Sequence, residues 1–135
     1  MRHYGQFYID GEWVEPVESR PFELRNPATE EVFATVALGS SADVDRAVTA
    51  ARRAYKTFSL TTPAERIVLL ERIAEVFSAR RDEVHAALTE EMGAPVSLTA
   101  QIDSALKAIH QAVKTLGDYQ FESREGRFII RHEAI

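Results

Sequence analysis

Short segments of the first forty residues carry strand patterns, with apolar and β-branched residues separated by turn signals. Aromatic and β-branched residues flank Asp10-Gly11 in FYIDGEWV. This pattern predicts a hairpin with a type I′ turn, since glycine takes positive φ without steric cost. PFELR and VFATVAL predict two further strands, the second ending at Gly39. Between them NPATEE predicts a turn, because Pro27 fixes φ and Asn26 can bond its own backbone.

From position 41 onward the hydrophobic period changes to 3.6, which predicts helices. The first helix has Ser41 as its N-cap and Asp43 in its first turn. The second is marked by Thr62 as N-cap, Pro63 at the first helical position, and Glu65, which completes a capping box. The apolar positions of these two helices are Val44, Ala47, Val48, Ala51, Ala54, Tyr55 and Phe58, and then Ile67, Leu70, Ile73, Ala74 and Phe77.

Two more helices follow in the pattern. The third spans about 81–92 and ends at Gly93 in a left-handed conformation, with Pro95 preventing its continuation. The fourth runs over about 97–116 and ends at Gly117. The predicted buried positions are Val84, Ala87 and Leu88 in the third helix, and Leu98, Ile102, Ala105, Leu106, Ile109, Val113 and Leu116 in the fourth.

The last segment, QFESREGRFIIRHEAI, alternates about the polar turn REGR and predicts a hairpin or an extended arm. The order of the patterns is strands, then helices, then this arm. We therefore predict an α+β fold, with short strands within residues 7–37, about four helices within residues 42–116, and a strand-like arm at the end.

Composition narrows the possible functions. The formal net charge of −5 argues against a nucleic-acid partner, whose phosphates require a basic surface. The absence of cysteine removes disulfides, thiolate metal sites and a thiol nucleophile. We see neither a signal peptide nor a run of about 20 apolar residues that could span a membrane. We therefore expect no membrane partner and a cytoplasmic location.

The residues show no recognisable catalytic or metal-binding pattern. The six glycines are isolated, so no phosphate-binding loop is formed. His85 and His110 lie on different predicted helices, with no carboxylate at zinc-ligand spacing. No nucleophile elbow of the form G-x-S-x-G is present. The adjacent Glu90 and Glu91 point about 100° apart on a helix, so they share no site. The residues alone predict a globular α+β domain without an active site.

The order of motifs is more specific than any one of them. RNPATEEVFATV, DVDRAVTAARRAY, TPAERIVLLERIAEVF and EMGAP follow one another along the chain, and RFIIRHEAI closes it. In motif and spacing this resembles the amino-terminal part of the NAD(P)-dependent aldehyde dehydrogenase superfamily, and EMGAP resembles one bacterial branch of it. A departure is Ala134, where the family commonly has proline.

The resemblance implies an α/β parent several times longer than this chain. Residues 1–117 would then belong to the coenzyme-binding domain, and residues 118–135 would begin the oligomerisation arm that leads into the nucleotide-binding core. In the family, a cysteine thiolate attacks the aldehyde, an asparagine holds the oxyanion, hydride passes to the nicotinamide, and a glutamate activates water. These three residues lie downstream of the matching region. The resemblance therefore implies no catalytic and no cofactor-binding residue in this chain, which we expect to bind neither NAD nor NADP alone.

One binding feature of the family falls within the matching region. Many relatives hold a structural monovalent cation with backbone carbonyl groups before the NP turn and an acidic side chain near the end of the third helix. The matching positions here are the carbonyl groups of Leu24 and Arg25, and Glu91. Hard oxygen ligands suit such an ion. The alternative is that Glu91 caps or solvates the end of its helix.

Three hypotheses follow for the chain as a whole. It is a separately expressed amino-terminal segment of a dehydrogenase, a short assembly module that pairs with itself or with a catalytic chain, or a proteolytic product of a complete enzyme. We also expect self-association, because apolar helix positions that pack on the nucleotide-binding sheet in the parent would lose their partners. These positions are Val44, Val48, Ile67, Leu70, Ile102, Leu106 and Ile109.

Overall fold

The computed structural model of the protein describes residues 1–97 and 100–133. Leu98, predicted to face inward from the fourth helix, lies outside the described residues, as do Ala134 and Ile135 of the predicted arm. In chain order the elements are β1 (Arg2–Tyr4), β2 (Phe7–Ile9), β3 (Glu12–Val14), β4 (Arg20–Arg25), β5 (Val32–Leu38), α1 (Ser41–Phe58), α2 (Pro63–Ala79), α3 (Arg81–Met92), α4 (Ala100–Asp118), β6 (Glu122–Glu125) and β7 (Phe128–Arg131). The α+β fold class is confirmed.

The described residues form two compact units. The first contains Met1–Phe58 and the segment that begins at Asp82, and the second contains Ser59–Arg81, α4, β6 and β7. In the first unit β5 is the central strand of a three-stranded sheet, parallel to β1 and antiparallel to β4. None of the helices in the described part of the chain is long and apolar enough to cross a membrane.

The β2–β3 hairpin has the predicted turn. Asp10 and Gly11 both have positive φ, at 59° and 84°, as a type I′ turn requires. Tyr8 and Trp13 are paired across the strands, with ring centroids 5.2 Å apart. The hairpin lies against α1, and Arg53 of that helix forms an ion pair with Asp10.

The sequence pattern misses the first strand. β1 comprises the three residues RHY, which are all exposed and show no apolar alternation. Its pairing with β5 involves residues more than thirty positions downstream, as in Arg2 with Ala34. A strand that depends on such a distant partner leaves little local signal, so the predicted strand region of 7–37 begins too late.

The start of α1 differs from the prediction by one residue. The helix begins at Ser41, and the N-cap is Ser40, whose carbonyl oxygen accepts a hydrogen bond from the Val44 N–H at 3.3 Å. The Ser40 N–H and hydroxyl both donate to Asp43 Oδ2, at 2.8 and 2.9 Å. Two serines stand side by side here, and Ser40 is the one placed three residues before Asp43. The predicted cap at Ser41 is therefore wrong.

The start of α2 agrees with the prediction. The Glu65 N–H donates to Thr62 Oγ1 at 3.2 Å, and the Thr62 N–H donates to Glu65 Oε2 at 2.7 Å. This is the reciprocal capping box, with Pro63 at the first helical position. The Thr62 hydroxyl also donates to Glu65 Oε2, at 2.9 Å. The hydrogen bonds that the Thr62 N–H and hydroxyl donate hold the pKa of the Glu65 carboxyl below its ordinary value, because they stabilise the ionised form.

The second unit is built on the packing of α2 against α4. Ile102 is 1% exposed and Ala74 is 5% exposed, so these two residues form the centre of the contact. Gly117 does not end α4, which continues to Asp118. A glycine ends a helix when it adopts positive φ, and Gly117 is not among the glycines that do so. The predicted helix end is therefore too early.

The predicted apolar faces are buried to different degrees. Ile102 was expected to lose its packing partners in this chain, and that expectation is wrong because the residue is only 1% exposed. Val44 and Val48 are 60% and 42% exposed, as a face without partners would be. Ala87 of α3 is exposed rather than buried. The half-buried members of the set are Ile67, Leu70, Leu106 and Ile109.

The predicted hairpin about REGR is confirmed by the antiparallel pairing of β6 with β7. Gly126 in its turn has a φ of 59°. Tyr119 makes edge-on contacts with Phe121 and His132, with centroid distances of 4.8 and 5.5 Å. The His132 N–H donates to the Phe121 carbonyl oxygen at 2.9 Å, which closes the base of the hairpin.

Candidate functional site

The predicted cation ligands begin where β4 ends. Leu24 pairs with Ala34 and Arg25 with Val32, so the register shifts and Phe33 of β5 has no opposite residue. A bulge of this kind interrupts the regular ladder of backbone hydrogen bonds. The carbonyl groups predicted to bind the ion therefore belong to two residues at an irregular end of the sheet.

The turn after β4 is held by its asparagine. Asn26 Oδ1 accepts hydrogen bonds from the N–H groups of Ala28 and Thr29, at 2.8 and 3.3 Å. Its main chain donates to the Glu31 carbonyl oxygen at 3.0 Å and accepts from the Glu30 N–H at 2.8 Å. The prediction that Asn26 bonds its own backbone in this turn is confirmed.

The same turn lies against the end of α3. Gly93 has a φ of 68°, and its N–H donates to the Thr89 carbonyl oxygen at 3.1 Å, so it is the left-handed stop that the sequence predicts. A Cβ at this position would lie 2.9 Å from Pro27 Cγ. The NP turn and the residues that end α3 are therefore neighbours within the first unit.

Glu91 stands two residues before this stop and is exposed. The fold thus brings the segment containing Leu24 and Arg25 and the helix end containing Glu91 to one side of the first unit. Within residues 1–97 and 100–133, no three His, Asp or Glu side chains are grouped to hold a metal ion. An ion here would depend on main-chain carbonyl oxygens with one carboxylate, a donor set that suits a hard cation.

The neighbouring glutamate has a different partner. Glu90 forms an ion pair with Arg2 of β1, and the Arg2 guanidinium also lies over the Phe33 ring, 5.4 Å from its centroid. The Glu90 carboxylate raises the pKa of Arg2, since it stabilises the charged guanidinium. Glu90 and Glu91 therefore point to different parts of the surface and share no binding partner within the described residues, as their helical spacing predicts.

A second feature of α3 was not anticipated from the sequence. A depression of about 560 Å³ is lined by Asn26 of the turn, by His85, Thr89 and Glu90 of α3, and by other residues of the first unit. His85 Nε2 and Thr89 Oγ1 are buried and have no hydrogen-bond partner among the described residues. The sequence feature that could have indicated this pair is the spacing of four positions, which places both side chains on one face of the helix.

Asp43 is the buried charged residue of the described chain, at 5% exposure. Its Oδ1 accepts from the Val17 N–H at 2.8 Å, and its Oδ2 accepts both hydrogen bonds from Ser40. These hydrogen bonds hold the pKa of Asp43 below its ordinary value. Asp43 therefore joins the loop after β3 to the start of α1, which is a structural role.

The sequence profile described as the aldehyde dehydrogenase family matches residues 13–133. The chain belongs to the aldehyde dehydrogenase family. A 3-succinoylsemialdehyde-pyridine dehydrogenase from Pseudomonas sp. is 43% identical to it over 129 residues, which cover 93% of this chain and 27% of that enzyme. A Staphylococcus aureus relative is 43% identical over 137 residues, with coverage of 100% and 29%.

Solved aldehyde dehydrogenases share the fold. The Bartonella henselae enzyme matches with a TM-score of 0.90 and 32% identity, over 94% of this chain and 28% of that one. Aldehyde dehydrogenase C of Pseudomonas syringae, solved as a C291A mutant with NAD⁺ and octanal, matches with a TM-score of 0.87 and 43% identity, over 90% and 25%. The chain spans less than a third of the length of the aldehyde dehydrogenases that it matches, so it is an amino-terminal segment.

Proposed function

We propose that this protein is the amino-terminal scaffold of an aldehyde dehydrogenase that oxidises an aldehyde to a carboxylate with NAD or NADP. The observation that carries the proposal is the fold match over 94% of this chain within a dehydrogenase several times longer. Residues 1–117 would form part of the coenzyme-binding domain, and residues 118–135 would begin the oligomerisation arm. The assembled enzyme would be cytoplasmic.

The chain itself contributes support rather than reacting groups. Its sequence contains no cysteine, whereas the family chemistry needs a thiolate that attacks the aldehyde carbon. We expect the isolated chain to bind neither NAD nor NADP and to have no dehydrogenase activity. The role of its helices is to cover the nucleotide-binding sheet supplied by the catalytic portion.

The test of this proposal follows absorbance at the reduced-nicotinamide band. Purified 135-residue protein is mixed with NAD or NADP and a series of aldehydes, beside a complete dehydrogenase as positive control. The expected result is no turnover above the rate without protein. Turnover that requires cofactor and follows the protein through purification would overturn the proposed scaffold role.

The proposed cation site rests on Leu24, Arg25 and Glu91. Its support is the contact between the NP turn and the end of α3, which brings the two ligand-bearing segments to one side of the unit. In an enzyme that carries this segment, potassium or sodium should raise the melting temperature beyond an equal ionic strength of choline chloride, since a bound ion stabilises by mass action. Glu91→Gln should remove this difference, while Glu71→Gln on the exposed surface of α2 should keep it.

A second candidate function is an assembly module. The observation that favours it is the exposure of β7, where Phe128 is 75% and Ile129 is 51% exposed on a strand paired on one side with β6. An apolar strand with an open edge favours pairing with another chain. In this alternative the chain associates with itself or with a separately encoded catalytic chain.

A further inference from the structure

An apolar stripe runs along α1. Its members are alternately four and three residues apart, which is the spacing of a helix that packs lengthwise on another helix. The stripe consists of Val44, Val48, Ala51, Tyr55 and Phe58. All five side chains are exposed, and the exposed fractions of Val44 and Phe58 are 60% and 51%. The helix therefore presents an apolar seam that a second helix could cover.

The β2–β3 hairpin lies along one flank of this stripe. Ala47 and Ala50 of that flank are half-buried, and they line a depression of about 230 Å³ together with Tyr8 and Ile9 of β2. The stripe itself and the flank on its other side stay exposed. A helix that packs on the stripe can therefore make polar contacts on the flank away from the hairpin.

That open flank carries charges of both signs. Asp45 and Arg52 are seven positions apart, so both project from the same side of the helix. Lys56 adds a second positive charge in the last turn. Neither Asp45 nor Arg52 forms an ion pair within the described part of the chain, whereas Arg53 is paired with Asp10. The flank is thus acidic at its start and basic towards its end, which is complementary to a reversed copy of itself.

We propose that two copies of the chain pair through α1, stripe against stripe, in antiparallel orientation about a two-fold axis. Each Val48 then packs against Ala51 of the other copy, and each Asp45 faces the other copy's Arg52, so the ion pair forms twice. Antiparallel helix dipoles favour the same orientation. A parallel pair would instead oppose like charges, which is unfavourable. This inference rests on the second candidate function, the assembly module, and names its surface and its partner.

The first test exchanges the two charges. Asp45→Lys alone or Arg52→Glu alone opposes like charges at both symmetry-related contacts, so the dissociation constant of the dimer should rise at least about tenfold. The double variant restores opposite charges and should return the constant to within about threefold of the wild type. Glu71→Lys, on the exposed surface of α2, is the control for charge reversal. Analytical ultracentrifugation gives the constants, and circular dichroism checks that each variant is folded.

The second test determines the orientation of the two helices, and it uses the absence of cysteine from the sequence. Val44→Cys and Tyr55→Cys chains are prepared separately, then mixed under a mild oxidant. Antiparallel pairing brings position 44 of one copy beside position 55 of the other, so the mixture should form a disulfide-linked dimer. Each preparation alone should not, because its two cysteines would lie about 16 Å apart along the helices, beyond disulfide reach.

Three results would overturn the inference. They are unchanged dissociation constants in both single charge variants, linkage within each separate cysteine preparation, and a monomer throughout the micromolar range. If the dimer persists in the charge variants but is lost on Ile129→Lys, the assembly module stands and its interface is β7. A monomer would count against self-association as a whole. The scaffold role is decided separately by the absorbance assay, since none of these variants tests dehydrogenase activity.

Discussion

At the scale of single residues, the buried carboxylate of Asp43 accepts several hydrogen bonds that join two segments of the chain. It accepts hydrogen bonds from the N–H groups of Val17 and Ser40 and from the Ser40 hydroxyl. Asp43→Asn replaces one oxygen with an NH₂ group that cannot accept, so at least one buried N–H loses its partner. We expect a lower melting temperature, measured by circular dichroism. Asp45→Asn, which makes the same charge change at an exposed position of α1, should have little effect.

The same residue predicts a pH dependence with a definite sign. The pKa of Asp43 in the folded chain lies below its ordinary 3.8, so the unfolded state binds the proton more readily. The stabilisation is therefore complete above the unfolded pKa and is lost as the pH falls through the folded value. Denaturant titrations between pH 6 and about pH 2 should show a smaller fall in stability for Asp43→Asn than for the wild type. Parallel curves for the two proteins would contradict this.

Replacing Gly93 should be destabilising for two reasons, a strained backbone conformation and a close approach to the NP turn. Its φ of 68° is left-handed, and a Cβ would approach Pro27 Cγ to 2.9 Å. Gly126 also has positive φ, but a Cβ there would meet nothing within 4 Å. Gly126→Ala should therefore cost about 1–2 kcal/mol, and Gly93→Ala should cost more. Urea denaturation of both variants measures the difference in the free energy of unfolding. Equal losses of stability would show that the NP turn moves away from the added Cβ at no energetic cost.

At the scale of elements, the contact of α2 with α4 depends on one large buried side chain. Ile102 is 1% exposed, so Ile102→Ala should destabilise the chain by about 2–5 kcal/mol through lost burial and the resulting cavity. Ile73→Ala on α2 makes the same truncation at a residue that is 44% exposed, and its effect should be much smaller. Both are measured by urea denaturation. Equal effects would mean that the pair of helices does not unfold as a packed unit.

The sequence predicts those elements best whose signals are local. The capping box of Thr62 and Glu65, the Asp10-Gly11 turn and the Gly93 stop are each specified by neighbouring residues, and all three are confirmed. The sequence pattern fails to predict features that depend on residues far away along the chain. β1 forms on β5, and the exposure of Ala87 depends on what covers α3. For the candidate site, motifs indicate Leu24, Arg25 and Glu91, whereas the orphaned atoms of His85 and Thr89 become visible in the packed structure.

At the scale of the whole molecule, the exposed apolar surface predicts association. Val44 and Val48 of α1 and Phe128 and Ile129 of β7 are each more than 40% exposed. Fully burying a side chain of this kind contributes roughly 1.5–3 kcal/mol, so pairing two copies would recover part of that free energy. We expect light scattering to give the mass of a dimer in the micromolar range. A monomer mass throughout that range, without binding of an apolar dye, would contradict the prediction.

Substitution separates the two surfaces that could form such a dimer. If β7 is the interface, Ile129→Lys should weaken dimerisation at least about tenfold, which corresponds to 1.4 kcal/mol. If the α1 face is the interface, Val48→Lys should have that effect instead. Val17→Lys, at a loop position that is 61% exposed, is the control. Dimerisation that survives both single changes would place the interface elsewhere on the chain.

The parallel pairing of β1 with β5 also determines the order of events during synthesis. The residues of β1 leave the ribosome before their partners in β5, which lie 32 positions later in the case of the hydrogen bond between His3 and Thr35. Because domains fold as their segments emerge, β1 must stay unpaired until β5 has been translated. A nascent chain stalled before β5 clears the exit tunnel would therefore leave β1 accessible to protease, and one stalled well after it would protect β1.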